Sequence, residues 1–103
     1  MPARLPVKPT PRAAAEIRRA SAWWRANRVA APFAFADDLE RAFELVAAQP
    51  GIGARARNAK KEGIRRLLLS RTGYHLYYQV NAEAGRIEIL ALWHSRRGRE
   101  ASI

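Results

Sequence analysis

An α+β domain, with a helical hairpin packed on one face of an antiparallel sheet, is predicted by three features of the sequence. Apolar residues recur at helical spacing through the first half. Three segments of alternating character, separated by turn residues, fill residues 63–98. Between these halves stands Pro50-Gly51, a break that neither helix nor strand readily crosses. A single domain over residues 1–103 follows from the length, with one modest core.

The elements follow in order. Residues 5–8 form a short apolar–basic run, and Pro6 and Pro9 suit an edge strand because proline cannot donate to a ladder. Thr10-Pro11 starts the first helix, with Thr10 as N-cap and Pro11 at the first helical position. This helix runs to about Asn27, and Ala13, Ile17, Ala20 and Trp24 form its apolar face, with Trp23 beside it. Residues 29–31 connect to a second helix, opened by Pro32 and ending near Gln49. Its buried stripe is Phe35, Leu39, Ala42 and Val46, and Asp37, Asp38 and Glu40 suit the positive end of its dipole. Two such helices with a short link predict an antiparallel hairpin.

Residues 51–62 read as an exposed, mobile basic loop. Strands are expected at about 64–70, 74–81 and 86–93, with a turn at Thr72-Gly73 and a longer one at 81–85. Alternation assigns Leu67, Leu69, Tyr74, Leu76, Tyr78, Val80, Ile87 and Ile89 to the helix side. Arg66, Leu68, His75, Tyr77, Gln79, Leu90 and Leu92 then face away. That outer face mixes apolar and cationic groups, so it is expected to be an open surface that a partner covers.

Composition excludes several classes. There is no cysteine, hence no disulfide or thiolate metal site. His75 and His94 lack a carboxylate at ligand spacing, so no metal and no other cofactor is expected. No apolar run approaches the ~20 residues of a membrane span, and residues 1–12 lack a signal-peptide core. A cytoplasmic protein is the expectation. Ser70 and Ser95 lack a nucleophile-elbow frame, and Gly51-Ile52-Gly53 is a turn rather than a phosphate loop.

Charge is the strongest clue to partners. The net charge is +10, of which residues 1–50 carry +3 and residues 51–103 carry +7. Such a field attracts polyanions or an acidic protein. Arg66, His75, His94, Arg96 and Arg97 are the groups available for chemistry. Arginine clamps phosphates and histidine moves a proton near neutrality, together suiting metal-free RNA cleavage. Alternatively, Arg66, Arg96 and Arg97 pair with acidic groups of a partner, or with Glu88. Trp24, Phe35, Tyr74 and Tyr78 read as core, whereas Tyr77 either stacks a base or lines a partner's groove.

The sequence resembles the RelE/ParE toxins of bacterial type II toxin–antitoxin systems over nearly its whole length. The similarity runs through Ala14, Ile17 and Trp24, then Gln49-Pro50-Gly51-Ile52-Gly53 and Gly63-Ile64-Arg65-Arg66-Leu67. It continues through Gly73-Tyr74-His75-Leu76-Tyr77-Tyr78-Gln79-Val80, Ile87-Glu88-Ile89-Leu90 and Leu92-Trp93-His94-Ser95-Arg96-Arg97. The order and spacing of these segments carry the resemblance, rather than any single motif. It implies a toxin in a hetero-oligomer with an antitoxin whose acidic, partly disordered C-terminal segment wraps helices and sheet. Antitoxin contacts are assigned to Arg66, Leu68, Tyr77, Leu90, Leu92 and Trp93.

The family divides by target. In the RelE branch, which cuts messenger RNA on the ribosome, Arg66 matches one basic position and Arg96 falls near another. Leu68 and His75 stand where further basic residues would be, and no tyrosine follows Tyr78, so the nuclease set is incomplete. The ParE branch, associated with poisoning DNA gyrase, lacks that set too. Its ending of His followed by Arg-Arg looks like His94-Ser95-Arg96-Arg97, which makes His94, Arg96 and Arg97 the target-binding residues. The resemblance therefore implies a gyrase inhibitor rather than an enzyme. The alternatives are an endoribonuclease using Arg66, His75 and Arg96, acting on the ribosome or mRNA, and a non-toxic basic nucleic-acid-binding module.

Overall fold

Thr10 and Pro11 start the first helix as their chemistry requires. In the computed structural model, which describes residues 4–56, 61–97 and 101–103, the Thr10 hydroxyl accepts the Ala13 N–H at 3.2 Å. Helix α1 spans Pro11–Asn27 and α2 spans Ala34–Ala48. Ala13, Ala20, Phe35, Ala42 and Val46 are buried between the helices and the sheet. Within the predicted α2 stripe Leu39 is only partly buried, and Asp38 takes a fully buried position instead.

Five strands form one sheet in the order β1-β5-β4-β3-β2. They are β1 (Val7–Pro9), β2 (Ala54–Arg55), β3 (Arg65–Leu69), β4 (Tyr74–Asn81) and β5 (Arg86–His94). The antiparallel expectation holds for β2 to β5, but β1 runs parallel to β5, so the sheet is mixed. The chain leaves β1 through both helices and returns on the far side of the sheet, which sets that direction. Leu92, beyond the end of β1, donates its N–H to the Glu16 carboxylate at 3.1 Å, so a helix side chain replaces the missing strand.

Strand β2 lies where a mobile loop was expected, although residues 57–60 of that loop lie outside the described residues. Two residues, Ala54 and Arg55, are too few to carry an alternation that announces a strand. What holds them is the preceding turn. The Tyr78 hydroxyl accepts the Gly53 N–H at 2.9 Å and donates to the Pro50 carbonyl at 2.8 Å. Arg65 donates to the Gly53 carbonyl at 2.7 Å. A Cβ at position 53 would lie 2.7 Å from that hydroxyl and 2.9 Å from the Arg66 carbonyl, so only glycine fits.

A bulge overturns the predicted face of one residue. Tyr77 lies opposite Ala91 and Tyr78 opposite Ile89, leaving Leu90 as the extra residue of β5. The phase of β5 flips there. Ala91 rather than Leu92 joins Tyr77 on the outer face, and Leu92 turns into the helix-side core with Ile87 and Ile89. Alternation without the bulge put Leu92 outside.

The outer face is also not an open trough. Ile64, Tyr77, Ala91 and Ala101 form a second small core there, flanked by Ala56, Leu90, Trp93 and Ile103. Ala101 donates its N–H to the Tyr77 hydroxyl at 3.4 Å, and Arg12 donates to the Ser102 carbonyl at 2.7 Å. Residues 101–103 thus cover the centre of the face expected to await a partner. Apolar Ala101 and Ile103 find there the surface that Tyr77 and Ala91 present. Leu68, at 50% exposure, remains at its margin.

The bulge and the Tyr78 tether each generate a test. Leu92→Ala should destabilise by about 2–5 kcal/mol in urea unfolding, and Leu68→Ala by less than about 1 kcal/mol; the reverse ranking would place Leu92 outside. Burial raises the Tyr78 pKa above its ordinary value of 10.0, against opposing pulls from the Gly53 N–H and the Arg65 charge. The folded state therefore holds this proton more tightly than the unfolded chain. The associated stability is present below pH ~10 and is lost as pH climbs through the higher folded value. Tyr78→Phe should lose about 1–3 kcal/mol at pH 7 and show a shallower stability decline above pH ~10, measured by unfolding across pH.

Candidate functional site

A cleft of about 610 Å³ opens where the end of α1, the β3–β4 turn and the end of β5 meet. The turn that forms one side is held by a buried carboxylate behind it. Asp38, on α2, accepts both the Thr72 N–H at 2.9 Å and the Thr72 hydroxyl at 2.8 Å. This ties the turn between β3 and β4 to the helical layer. Gly73 closes the turn with φ +83°, a conformation that side chains rarely adopt, and its N–H reaches the Leu69 carbonyl at 2.8 Å. Its own carbonyl accepts the Ser95 N–H at 2.9 Å, which joins the turn to the end of β5.

That junction places the histidine. Tyr74 and His94 lie opposite one another, with ring centroids 4.8 Å apart in an edge arrangement, and Tyr74 meets Phe35 at 5.0 Å. Beyond His94 the chain makes a short 3-10 turn, Ser95–Arg97. The Arg96 N–H donates to His94 Nδ1 at 3.1 Å. Arg96 and Arg97 line the cleft, and the Arg97 guanidinium sits 4.0 Å over the Trp93 ring.

The opposite wall comes from α1. Trp23 and Trp24 meet edge to face at 5.8 Å, and the Arg28 guanidinium lies 5.0 Å and 5.5 Å from their centroids. Arg71 lines the cleft from the turn. Arg28, Arg71, Arg96 and Arg97 therefore all contribute to the lining of one concavity that no carboxylate among the described residues lines, although the Arg97 guanidinium itself lies against Trp93. Such an arrangement concentrates positive potential. The Trp24 indole nitrogen is buried in this wall without a hydrogen-bond acceptor.

The target-binding residues read from sequence, His94, Arg96 and Arg97, are thus brought together. Arg28, Arg71, Trp23 and Trp24 join them unforeseen. The available signal was a Trp-Trp pair four residues before an arginine at a helix end, but Trp24 reads as core and Trp23 as its neighbour until the turn is placed opposite. The ribonuclease set is divided. Arg66, opposite Tyr77, and His75, opposite Trp93, occupy the outer face, whereas Arg96 lines the helix-side cleft. Of the antitoxin-contact residues, Arg66, Leu90 and Trp93 are partly buried on the outer face and Leu68 is exposed. Tyr77 is covered and Leu92 faces the helices. Glu88 pairs with Arg86 at 2.9 Å rather than with Arg66, Arg96 or Arg97. Bonds from Arg86 first, and then Gln79, hold its carboxyl below the usual range. A separate apolar groove of about 410 Å³ runs along the helical hairpin between Ile17, Phe35, Leu39 and Phe43.

The sequence model of the ParE toxin of the type II toxin–antitoxin system parDE matches residues 7–99. No curated relative matches the chain. The structure is similar to that of the chromosomal ParDE toxin–antitoxin system from P. aeruginosa. That match has a TM-score of 0.66 and 20% identity, and covers 88% of this chain and 96% of the other. It is also similar to the RelBE2 toxin–antitoxin complex from Mycobacterium tuberculosis. There the TM-score is 0.64 with 21% identity, covering 91% and 94% of the two chains. Both likenesses are of fold, with two helices on a five-stranded mixed sheet.

The Asp38 tether is testable on its own. Asp38→Ala strands two buried donors and should cost about 2–3 kcal/mol of unfolding free energy. Asp38→Asn, which keeps a carbonyl acceptor, should cost less, and Asp37→Ala no more than about 1 kcal/mol. Chemical denaturation of the three variants ranks them.

Proposed function

The chain belongs to the ParE toxin family of type II toxin–antitoxin systems, and on that premise we propose that it inhibits DNA gyrase unless a cognate antitoxin holds it. The observation that carries the gyrase reading is the gathering of His94, Arg96 and Arg97 in one cationic cleft, on the face opposite Arg66 and His75. A nuclease needs its phosphate clamp and its proton-moving group around one scissile bond. Here the three candidates for those roles lie on two faces of the sheet.

The antitoxin is acidic in its binding segment, to complement a net charge of +10. It engages the margins of the outer face at Arg66, Leu68, Leu90 and Trp93, and reaches Tyr77 only by displacing residues 101–103. The apolar groove along the helices offers a second surface to the same wrapping segment. Gyrase as target places the protein in the cytoplasm. Among the described residues no helix is long and apolar enough to cross a membrane.

Adding the purified protein to gyrase should reduce supercoiling of relaxed plasmid. Arg96→Ala combined with Arg97→Ala should abolish both that inhibition and growth arrest on expression, while Arg66→Ala spares them. Undiminished supercoiling together with new cuts in translated mRNA would replace this reading with the ribonuclease. Harmless expression of the native chain would leave only a non-toxic nucleic-acid-binding module.

A further inference from the structure

We propose that the cleft between α1 and the β3–β4 turn is a binding site for a nucleoside phosphate unit, with guanidiniums on the phosphate and Trp23 against the base. The polar lining is almost entirely donor-bearing. Arg28, Arg71, Arg96 and Arg97 are cations that cannot accept, and His94 Nδ1 is already occupied by the Arg96 N–H. The Thr72 hydroxyl is committed to Asp38. A ligand that satisfies these groups must be rich in acceptors and carry negative charge, as a phosphate does.

The aromatic wall narrows the class. Trp23 is 45% exposed at the cleft, unusual for so large an apolar ring, and Arg28 already lies over it as a flat cation. A base stacked there meets an indole face and a guanidinium edge within reach of the phosphate donors. A simple carboxylate ligand would leave that wall unused. A volume of about 610 Å³ exceeds what a bare phosphate needs and is within the range of small-molecule sites.

The unit has two sources, a free nucleotide or one residue of a single strand. The proposal does not depend on which macromolecule the toxin inhibits. A negative supercoiling result leaves it standing, and its own failure leaves the gyrase reading intact.

The test is titration of the full chain, followed by tryptophan fluorescence, with hexathymidylate, thymidine monophosphate, inorganic phosphate and hexaglutamate. Hexathymidylate should quench the fluorescence and bind more tightly than phosphate or hexaglutamate. Trp23→Ala and Arg71→Ala should each weaken that binding by on the order of tenfold. Arg18→Ala and Arg19→Ala, exposed on α1 outside the cleft, should weaken it less than about threefold. Circular dichroism of each variant checks its fold, and Arg71→Lys, which keeps charge but loses the fork, should give an intermediate loss. Thymidine monophosphate within about tenfold of the hexamer would identify a free nucleotide, and binding by the hexamer alone a strand; both support the site. Hexaglutamate binding as tightly as hexathymidylate would overturn the proposal, as would equal losses in cleft and control variants.

Discussion

A single buried carboxylate joins the two layers of this protein beside its cationic cleft. Asp38 sits on the inner side of α2 at 5% exposure and accepts two hydrogen bonds from Thr72. A carboxylate removed from water tolerates burial only when its lone pairs are engaged, so the turn must stay docked against the helix. Docking the turn brings Gly73 to Ser95 and Tyr74 to His94, and presents Arg71 across from the tryptophans of α1. The cleft is thus a consequence of how the helical hairpin is fastened to the sheet.

A second constraint divides the sheet into two unequal faces. Without the extra residue at Leu90, Leu92 would leave the main core and Ala91 would enter it. With it, β5 supplies Ile87, Ile89 and Leu92 to the helices and Ala91 to the other side. A small residue at position 91 leaves room against Tyr77, and Ala101 completes that contact. The outer face is consequently a minor core with apolar and cationic margins. A partner approaching it meets a surface already partly satisfied, so its gain on binding comes from the margins or from exchange with residues 101–103.

Charge is arranged with the same economy. Three of the nine acidic groups are engaged locally: Glu16 on the Leu92 N–H, Asp38 on Thr72 and Glu88 on Arg86. Arg28, Arg71, Arg96 and Arg97 line a cleft with no carboxylate among its described lining residues. Since interaction energy between charges falls with both distance and solvent screening, a concave and partly apolar wall strengthens what these cations offer an incoming anion.

Much was legible from the sequence because much of it is local. The Thr10-Pro11 start, the two helices, the alternation of β4, the Thr72-Gly73 turn and the family resemblance all rest on neighbouring residues and their spacing. So does the pairing of His94 with Arg96 and Arg97, which lie within one turn of chain. The rest depended on contacts between distant residues. Strand β2 exists because Tyr78 and Arg65 grip a glycine turn, the direction of β1 because two helices separate it from β5, and the covering of Tyr77 because Ala101 reaches it. Arg28 and Arg71 carry no shared signal until Asp38 draws the turn beneath the tryptophans. Short-range backbone preference determined the elements; tertiary packing, through buried groups that must find partners across the chain, decided the faces and the cleft.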